Sequence, residues 1–297
     1  MKVSNTSANT SENTSATNTA DSAADPACYA VFGNPIAQSK SPDIHLMFAA
    51  QTDQNIHYSK ILVEVDQFVT AADKFFGEGG QGLNITMPFK LDAYNYAHEL
   101  SDRARTAGAV NTLAKQSDGV IIGDNTDGIG MVSDITQRLG WVVRDRRVLV
   151  LGAGGAVRGV LLPLIEQAPK SLLVANRTAS KAEDLAQKLA DYGELSACGY
   201  EQLDGSQFDV IINGTSASLG GALPALPASC IHSKTCVYDM VYSKTSTPFL
   251  DWSGDQGATQ LSDGLGMLVG QAAESFFIWR KVRPEVAPVL AFLQEQA

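Results

Sequence analysis

The chain has 297 residues, 44% of them hydrophobic, enough for a sizeable core and most simply divided into two domains. Its formal net charge of -10 argues against a nucleic-acid or anionic-membrane surface, so an anionic ligand must be held by locally placed donors. Cys28, Cys198, Cys230 and Cys236 are scattered without a C-x-x-C pair or a spaced histidine partner, which excludes a disulfide framework and a metal site from the expectation.

Residues 1–26 are nearly all Ser, Thr, Asn, Ala and Asp and have nothing apolar to bury, so a disordered tail is expected. The tail has no apolar signal region and no arginine, which disfavours a secretory or mitochondrial leader. No run approaches the roughly 18 apolar residues of a membrane span, and a soluble, reducing, cytoplasmic setting is expected. "CYAVFG" reads as a buried strand, "SPDIHLMFAAQTDQ" as a helix opened by Ser-Pro, and "IHYSKILVEV" as a second strand. "FVTAADKFFGEGG" is helical to its glycines and "GLNITM" is a strand. "FKLDAYNYAHEL" is helical, and "AVNTLAK" and "GVIIGDNT" are strands either side of "QSDG".

A second series follows the helical "DGIGMVSDITQRLG". The strands "RVLVLGAGG", "SLLVANRT", "FDVIINGTS" and "TCVYDMVY" are interleaved with the helices "AVRGVLLPLIEQ" and "SKAEDLAQKLADYG", which predicts a parallel sheet with right-handed crossovers. The helical end, residues 264–297, is broken at Pro284 and has no strand of its own to cover, so it is expected to pack back on the first domain.

"RVLVLGAGGAVRG" sets a glycine turn between a strand and a helix, the context in which backbone can approach a pyrophosphate at a helix N-terminus. Gly152 and Gly154 fit the dinucleotide spacing, while Val157 breaks its last glycine and Gly155 and Ala156 supply small residues instead. At the end of the next strand, where an acid would bond a ribose 2′-hydroxyl, stand Asn176, Arg177 and Thr178. Arg177 can fork onto a 2′-phosphate, with Lys181 one turn on, which favours NADP; the competing reading is a threonine helix cap with solvated cations.

"GNPIAQSKSP" carries Ser39 and Ser41 two apart, so that in extended chain both hydroxyls point one way and Lys40 the other, either as a surface loop or as a carboxylate site. Asn84 and Thr86 are similarly spaced inside an apolar strand, and Lys90 heads a helix against its dipole. Asn111 lies in "AVNTL", and "GDNTDG" ends a strand with Asp124 and Asp127. Each alone suits a structural role; together they suit a polyhydroxylated, carboxylated small molecule, with Lys90 and Asp127 as proton-transfer candidates.

These segments, with "NITMPFK", "AGAVNTL", "GAGGAVRG", "INGTS", "YDMVY" and "DGLGMLVGQAA", resemble the shikimate dehydrogenase family in order and spacing over nearly everything after the tail. The resemblance implies reversible NADP-dependent reduction of 3-dehydroshikimate to shikimate on the route to aromatic amino acids. It implies an α/β architecture with a mixed-sheet substrate domain, residues 27–126 completed by 264–297, and a Rossmann-like NADP domain, residues 127–263, with the site between them. Ser39 and Ser41 would bind the carboxylate with Tyr242 nearby. Asn84, Thr86, Lys90, Asn111 and Asp127 would meet ring hydroxyls, and Gln271 would close the site. Gly152, Ala153, Gly154, Gly155, Ala156, Asn176, Arg177, Thr178 and Lys181 match cofactor contacts, as do Thr215, Met240 and Gly264 at the nicotinamide end and, more weakly, Asp102.

After Tyr242 the chain reads "SKTSTPF" where many members have Asn-Pro, a departure in the loop and not in the tyrosine. An enzyme of the same family preferring quinate, or accepting NAD, is the nearest rival; a non-catalytic NADP sensor would not need Lys90 and Asp127. Shikimate is the only partner implied, with no nucleic acid or membrane, and either a monomer or a homodimer is compatible.

Overall fold

A computed structural model describes residues 25–215, 217 and 222–296 together with Met1; the expected tail falls almost wholly outside the described residues. The first sheet has the order β2-β1-β3-β5-β6-β4, from strands Ile56–Leu62, Ala27–Gly33, Gly82–Ile85, Thr112–Lys115, Ile121–Asp124 and Glu99–Leu100. β1 pairs in parallel with β2 and β3, whereas β5 runs antiparallel to both β3 and β6, so the sheet is mixed as expected. The second sheet is wholly parallel, in the order β12-β11-β10-β7-β8-β9. Its strands are Gln260–Ser262, Cys236–Asp239, Val210–Asn213, Arg147–Leu151, Ser171–Ala175 and Ser196–Cys198. The chain steps outward from β7 in opposite directions, through β8 on one side and β10 on the other, which opens a crevice at their C-terminal ends where α/β sheets bind ligands.

Several local readings change. The helix expected over "FKLDAYNYAHEL" is α3, Lys90–Tyr96, and ends before Glu99–Leu100, which pair with β6 as a short parallel strand. The helical stretch after Thr126 is α5, Asp127–Ser133, and passes at Asp134 into a π-helical turn. β9, β12 and two helices, α4 (Asp102–Ala107) and α8 (Pro248–Asp255), have no counterpart in the sequence reading. The departure "SKTSTPF" leads into α8: Thr247 accepts from Leu250 N at 3.3 Å as N-cap, and Pro248 takes the first turn.

The remaining helices are α1 (Ser41–Gln51), α2 (Phe68–Gly77), α6 (Gly155–Ile165), α7 (Ala179–Lys188), α9 (Leu265–Arg280) and α10 (Val286–Glu295). The last two return to the first sheet. Ile44 and Phe48 of α1 share a buried cluster with Val269, Phe276 and Leu290, and Trp279 stacks on Tyr29 with centroids 4.6 Å apart. Trp279 also donates Nε1–H to the Leu113 carbonyl at 3.0 Å, tying α9 to β5. α5 is wedged between α6 and α9: a Cβ on Gly128 would lie 2.4 Å from the Gly159 carbonyl, and one on Gly130 2.4 Å from the Gln271 nitrogen. These close approaches draw the two sheets together over one cleft. Among the described residues no helix is long and apolar enough to cross a membrane.

Candidate active site

A cleft of about 270 Å³ is lined from both halves of the chain, by residues before α1, β3, the heads of α3 and α5, the loop after β11 and the start of α9. At its floor Lys90 Nζ lies 2.6 Å from Asp127 Oδ2. The other carboxylate oxygen accepts from Asn111 Nδ2 at 2.7 Å. Asn111 stands one residue before β5, and its Oδ1 accepts from the Thr126 amide at 2.9 Å, so the asparagine is locked against the turn that begins α5. Both members of the ion pair keep some solvent contact, with side chains 32% and 12% exposed for Lys90 and Asp127, so a small molecule can reach them.

Ser39 Oγ donates to Ser41 Oγ at 3.1 Å, and both hydroxyls line the cleft. The segment is not extended: Ser41 opens α1 and Lys40 is its N-cap, so Lys40 also borders the cleft instead of pointing away from it. Asn84 reaches the wall, but its carboxamide is held from behind. Tyr58 OH donates to Oδ1 at 2.7 Å and Nδ2 donates to Ser275 Oγ at 3.0 Å. Thr86, Tyr242 and Gln271 complete the rim, and Gln271 donates Nε2–H to the Leu268 carbonyl at 2.9 Å. Asp124, the other acid of "GDNTDG", turns away and is forked by Arg103 at 2.6 and 3.1 Å.

Beneath Asn84 lies His45, fully buried, its ring 4.5 Å from that of Tyr58 and nearly parallel to it. Neither ring nitrogen has a hydrogen-bond partner, and burial pushes its pKa down to about 3. Burial likewise pushes the Tyr58 phenol well up, so both rings are neutral supports for the site.

On the far side, Gly152 has φ +105 and its missing Cβ would stand 3.2 Å from Thr215 Cγ2, so the turn after β7 needs glycine. Thr215 is itself pinned, its Oγ1 donating to Asn213 Oδ1 at 2.7 Å. Gly154 is the N-cap of α6, Gly155 its first residue, and both they and Ala156 are exposed, with Ala153 beside them. Gly264 passes so close to the Met240 carbonyl that a Cβ would lie 2.2 Å from it, and both residues border the cleft. Arg177 lines a separate hollow with Tyr200 and Glu201. Thr178 occupies the N-cap of α7 without making a capping bond, which leaves its hydroxyl available and removes the simple cap reading. Lys181 is exposed on that helix's first turn, and the Asn176 side chain donates to the Thr178 carbonyl at 2.9 Å. Asp102 stands outside the cleft wall, exposed and ion-paired with Arg105.

Residues 31–113 match the shikimate dehydrogenase substrate binding domain, 134–220 the shikimate / quinate 5-dehydrogenase domain, and 264–293 the shikimate 5′-dehydrogenase C-terminal domain. The shikimate dehydrogenase (NADP(+)) of Cellvibrio japonicus is 59% identical over 90% of this chain and 97% of its own. The chain belongs to the shikimate dehydrogenase family. Among solved structures of similar fold, an Ael1 enzyme from Pseudomonas putida is 46% identical with a TM-score of 0.87, covering 90% of this chain and 98% of that one. Shikimate 5-dehydrogenase from Thermus thermophilus, solved with NADP(H) and shikimate, is 27% identical with a TM-score of 0.80, covering 91% and 100%.

For this member of the shikimate dehydrogenase family, the cleft brings together Ser39, Ser41, Asn84, Thr86, Lys90, Asn111, Asp127, Met240, Tyr242, Gly264 and Gln271, while the glycine turn and Arg177 lie beyond it. Sequence reading missed the supports Tyr58, Thr126 and Ser275. Their signal was polarity inside apolar stretches, "IHYSKIL" for Tyr58 and "AAESFF" for Ser275, which says that a partner exists without saying which.

Proposed function

We propose that this chain catalyses the reversible NADPH-dependent reduction of 3-dehydroshikimate to shikimate, in the cytoplasm, as a step toward aromatic amino acids. The observation that carries the reading is the Lys90–Asp127 pair, 2.6 Å apart at the floor of a cleft that has a serine pair on one wall and Met240 and Gly264 on the other. In this reading residues 27–126 with 264–297 hold the acid substrate and residues 127–263 hold the cofactor.

When bound, NADPH supplies the hydride to the ring carbon, and NADP+ accepts it in the reverse direction. The protein supplies the proton. During reduction the Lys90 ammonium donates a proton to the oxygen as negative charge builds there; during oxidation the Lys90–Asp127 pair removes the hydroxyl proton as one unit. Asn111 keeps the second Asp127 oxygen occupied, so the carboxylate faces Lys90 in a single orientation. Ser39 and Ser41 can each turn a hydroxyl donor to the substrate carboxylate, Ser39 by giving up its bond to Ser41, assisted by Tyr242, and Lys40 at the cleft edge adds positive charge in a chain of net charge -10. Thr86, Asn111 and Gln271 are the donors and acceptors for ring hydroxyls, and Asn84 contributes the acceptor capacity its Oδ1 retains after Tyr58 has donated to it. For the cofactor, residues 152–156 receive the pyrophosphate, Arg177 and Lys181 with Asn176 and Thr178 take the 2′-phosphate, and Thr215, Met240 and Gly264 border the nicotinamide. Asp102 is left without a role in this scheme because its carboxylate is committed to Arg105.

An absorbance assay at the nicotinamide band, crossing shikimate and quinate with NADP+ and NAD+, tests the reading. Shikimate with NADP+ is expected to dominate. Equal turnover of quinate, or of NAD+, would replace it with the broader dehydrogenase, and NADP binding without turnover of either acid would leave a sensor.

A further inference from the structure

Among the cations of the dinucleotide-binding half, Arg158 combines partial burial with a donor that nothing satisfies. Arg158, in the second turn of α6, has a side-chain Nε with no solvent access and no hydrogen-bond partner, and among the described residues no side-chain hydrogen bond or ion pair engages its guanidinium. The carboxylates of α4, the end of β6 and α9 are committed to other cations: Asp102 to Arg105, and Asp124 and Glu274 to Arg103. Arg158 itself is half-buried, but its Nε is a desolvated donor on a charged group with no acceptor, and such an unmade bond is costly.

The position of the fork says what is missing. Helical side chains lean toward the N-terminus, and a Cβ added to Gly155 would stand 3.7 Å from Nη2, at the first residue of α6. A Cβ added to Gly108, the C-cap of α4, would stand 3.7 Å from Nη1. The guanidinium thus spans the gap between the exposed glycine turn and the end of α4. The anion that a glycine turn at a helix N-terminus is built to receive is a dinucleotide pyrophosphate. We infer that Arg158 is a pyrophosphate-binding residue, gripping the anion from the α4 side while residues 152–156 receive it on their backbone amides. The inference rests on the assignment of the glycine turn to the cofactor. Its competitor is a purely structural cation set against the carbonyls that end α4.

Calorimetric titration of the full chain with NADP+ and with 2′-AMP, which carries the phosphate for Arg177 but no pyrophosphate, separates these. Arg158→Met should weaken NADP+ binding by about ten- to a hundredfold and leave 2′-AMP binding within about twofold of wild type. Arg177→Ala, run in parallel, should weaken both ligands. Unchanged NADP+ affinity in Arg158→Met, or an equal loss for 2′-AMP, overturns the inference, the second outcome assigning Arg158 to structure. If Arg177→Ala also leaves both ligands untouched, it is the cofactor reading itself that fails. Should Arg158→Met not fold, Arg158→Gln, neutral and of similar reach, is titrated against the same two ligands with the same expectations.

Discussion

Lys90 heads α3 and Asp127 heads α5, and the charge of each is meaningful only beside the other, 37 positions away in sequence and 2.6 Å away in space. If Lys90 moves the proton, its contribution is made chiefly in the transition state. Lys90→Met is therefore expected to cut kcat by about 10²- to 10⁴-fold while shikimate KM stays within a few fold. Asp127→Asn should lower kcat too, with the double variant little worse than the poorer single one; a near-normal kcat for Lys90→Met at saturating shikimate would hand the proton to Asp127 or a water it orients. In the proposed reaction Arg177 serves the cofactor. Only NADP carries a 2′-phosphate, so Arg177→Ala should lower kcat/KM for NADP by roughly ten- to a hundredfold, about 1.5–3 kcal/mol, with little effect on NAD. Equal losses with both cofactors would remove Arg177 from the 2′-phosphate.

Among the elements, α5 does the joining, since it carries Asp127 at one end and touches α6 and α9 along its length. Its crossing with α9 is glycine on glycine: a Cβ on Gly130 would lie 2.4 Å from the Gln271 nitrogen, and one on Gly270 2.9 Å from the Gly130 carbonyl. Backbone cannot yield there as a flexible side chain would. Gly130→Ala should therefore push α9 outward at a cost of about 1–3 kcal/mol. At roughly 2–4 °C per kcal/mol for chains of this class, Tm should fall by about 2–12 °C, and shikimate KM should rise because Gln271 rides on the displaced helix. A variant with wild-type Tm and KM would show that the crossing has slack.

For the whole molecule, the buried His45 links fold and acidity. Its folded-state pKa, about 3, lies below the ordinary value of 6.5, so between those limits the unfolded chain binds a proton that the folded chain refuses. Stability is complete above the unfolded pKa and is lost as pH falls from 6.5 toward 3, where the loss ends. His45→Phe keeps an aromatic ring between Tyr58 and Trp279 and removes the proton, so its stability should fall less steeply over that window than wild type. Denaturant midpoints at about pH 6.5, 5 and 4 on both proteins check this; parallel slopes would mean that other groups carry the acid sensitivity.

The alternating strands and helices, the parallel character of the second sheet, the glycine turn at Gly152 and the return of the C-terminal helices were legible in the chain alone. These follow from periodicity and from where glycine and proline fall, which are local properties. The sequence also marked most of the cleft's polar residues, because Asn84, Asn111 and Asp127 interrupt apolar stretches and buried polar groups need partners. The choice of partners was decided by tertiary structure. The β3–β5 register sets Asn84 opposite Thr112, the β5–β6 register, with Thr112 opposite Asp124, brings Asn111 next to Asp127, and only the docking of α9 delivers Ser275 to Asn84. The short pieces β4, β9 and β12 were illegible for a related reason. With two or three residues each, they hold their shape through hydrogen bonds to a neighbouring strand and not through any pattern of their own. Arg158 is the extreme case, a residue inconspicuous in "GAVRGV" whose significance lies wholly in the partner that the folded chain does not give it.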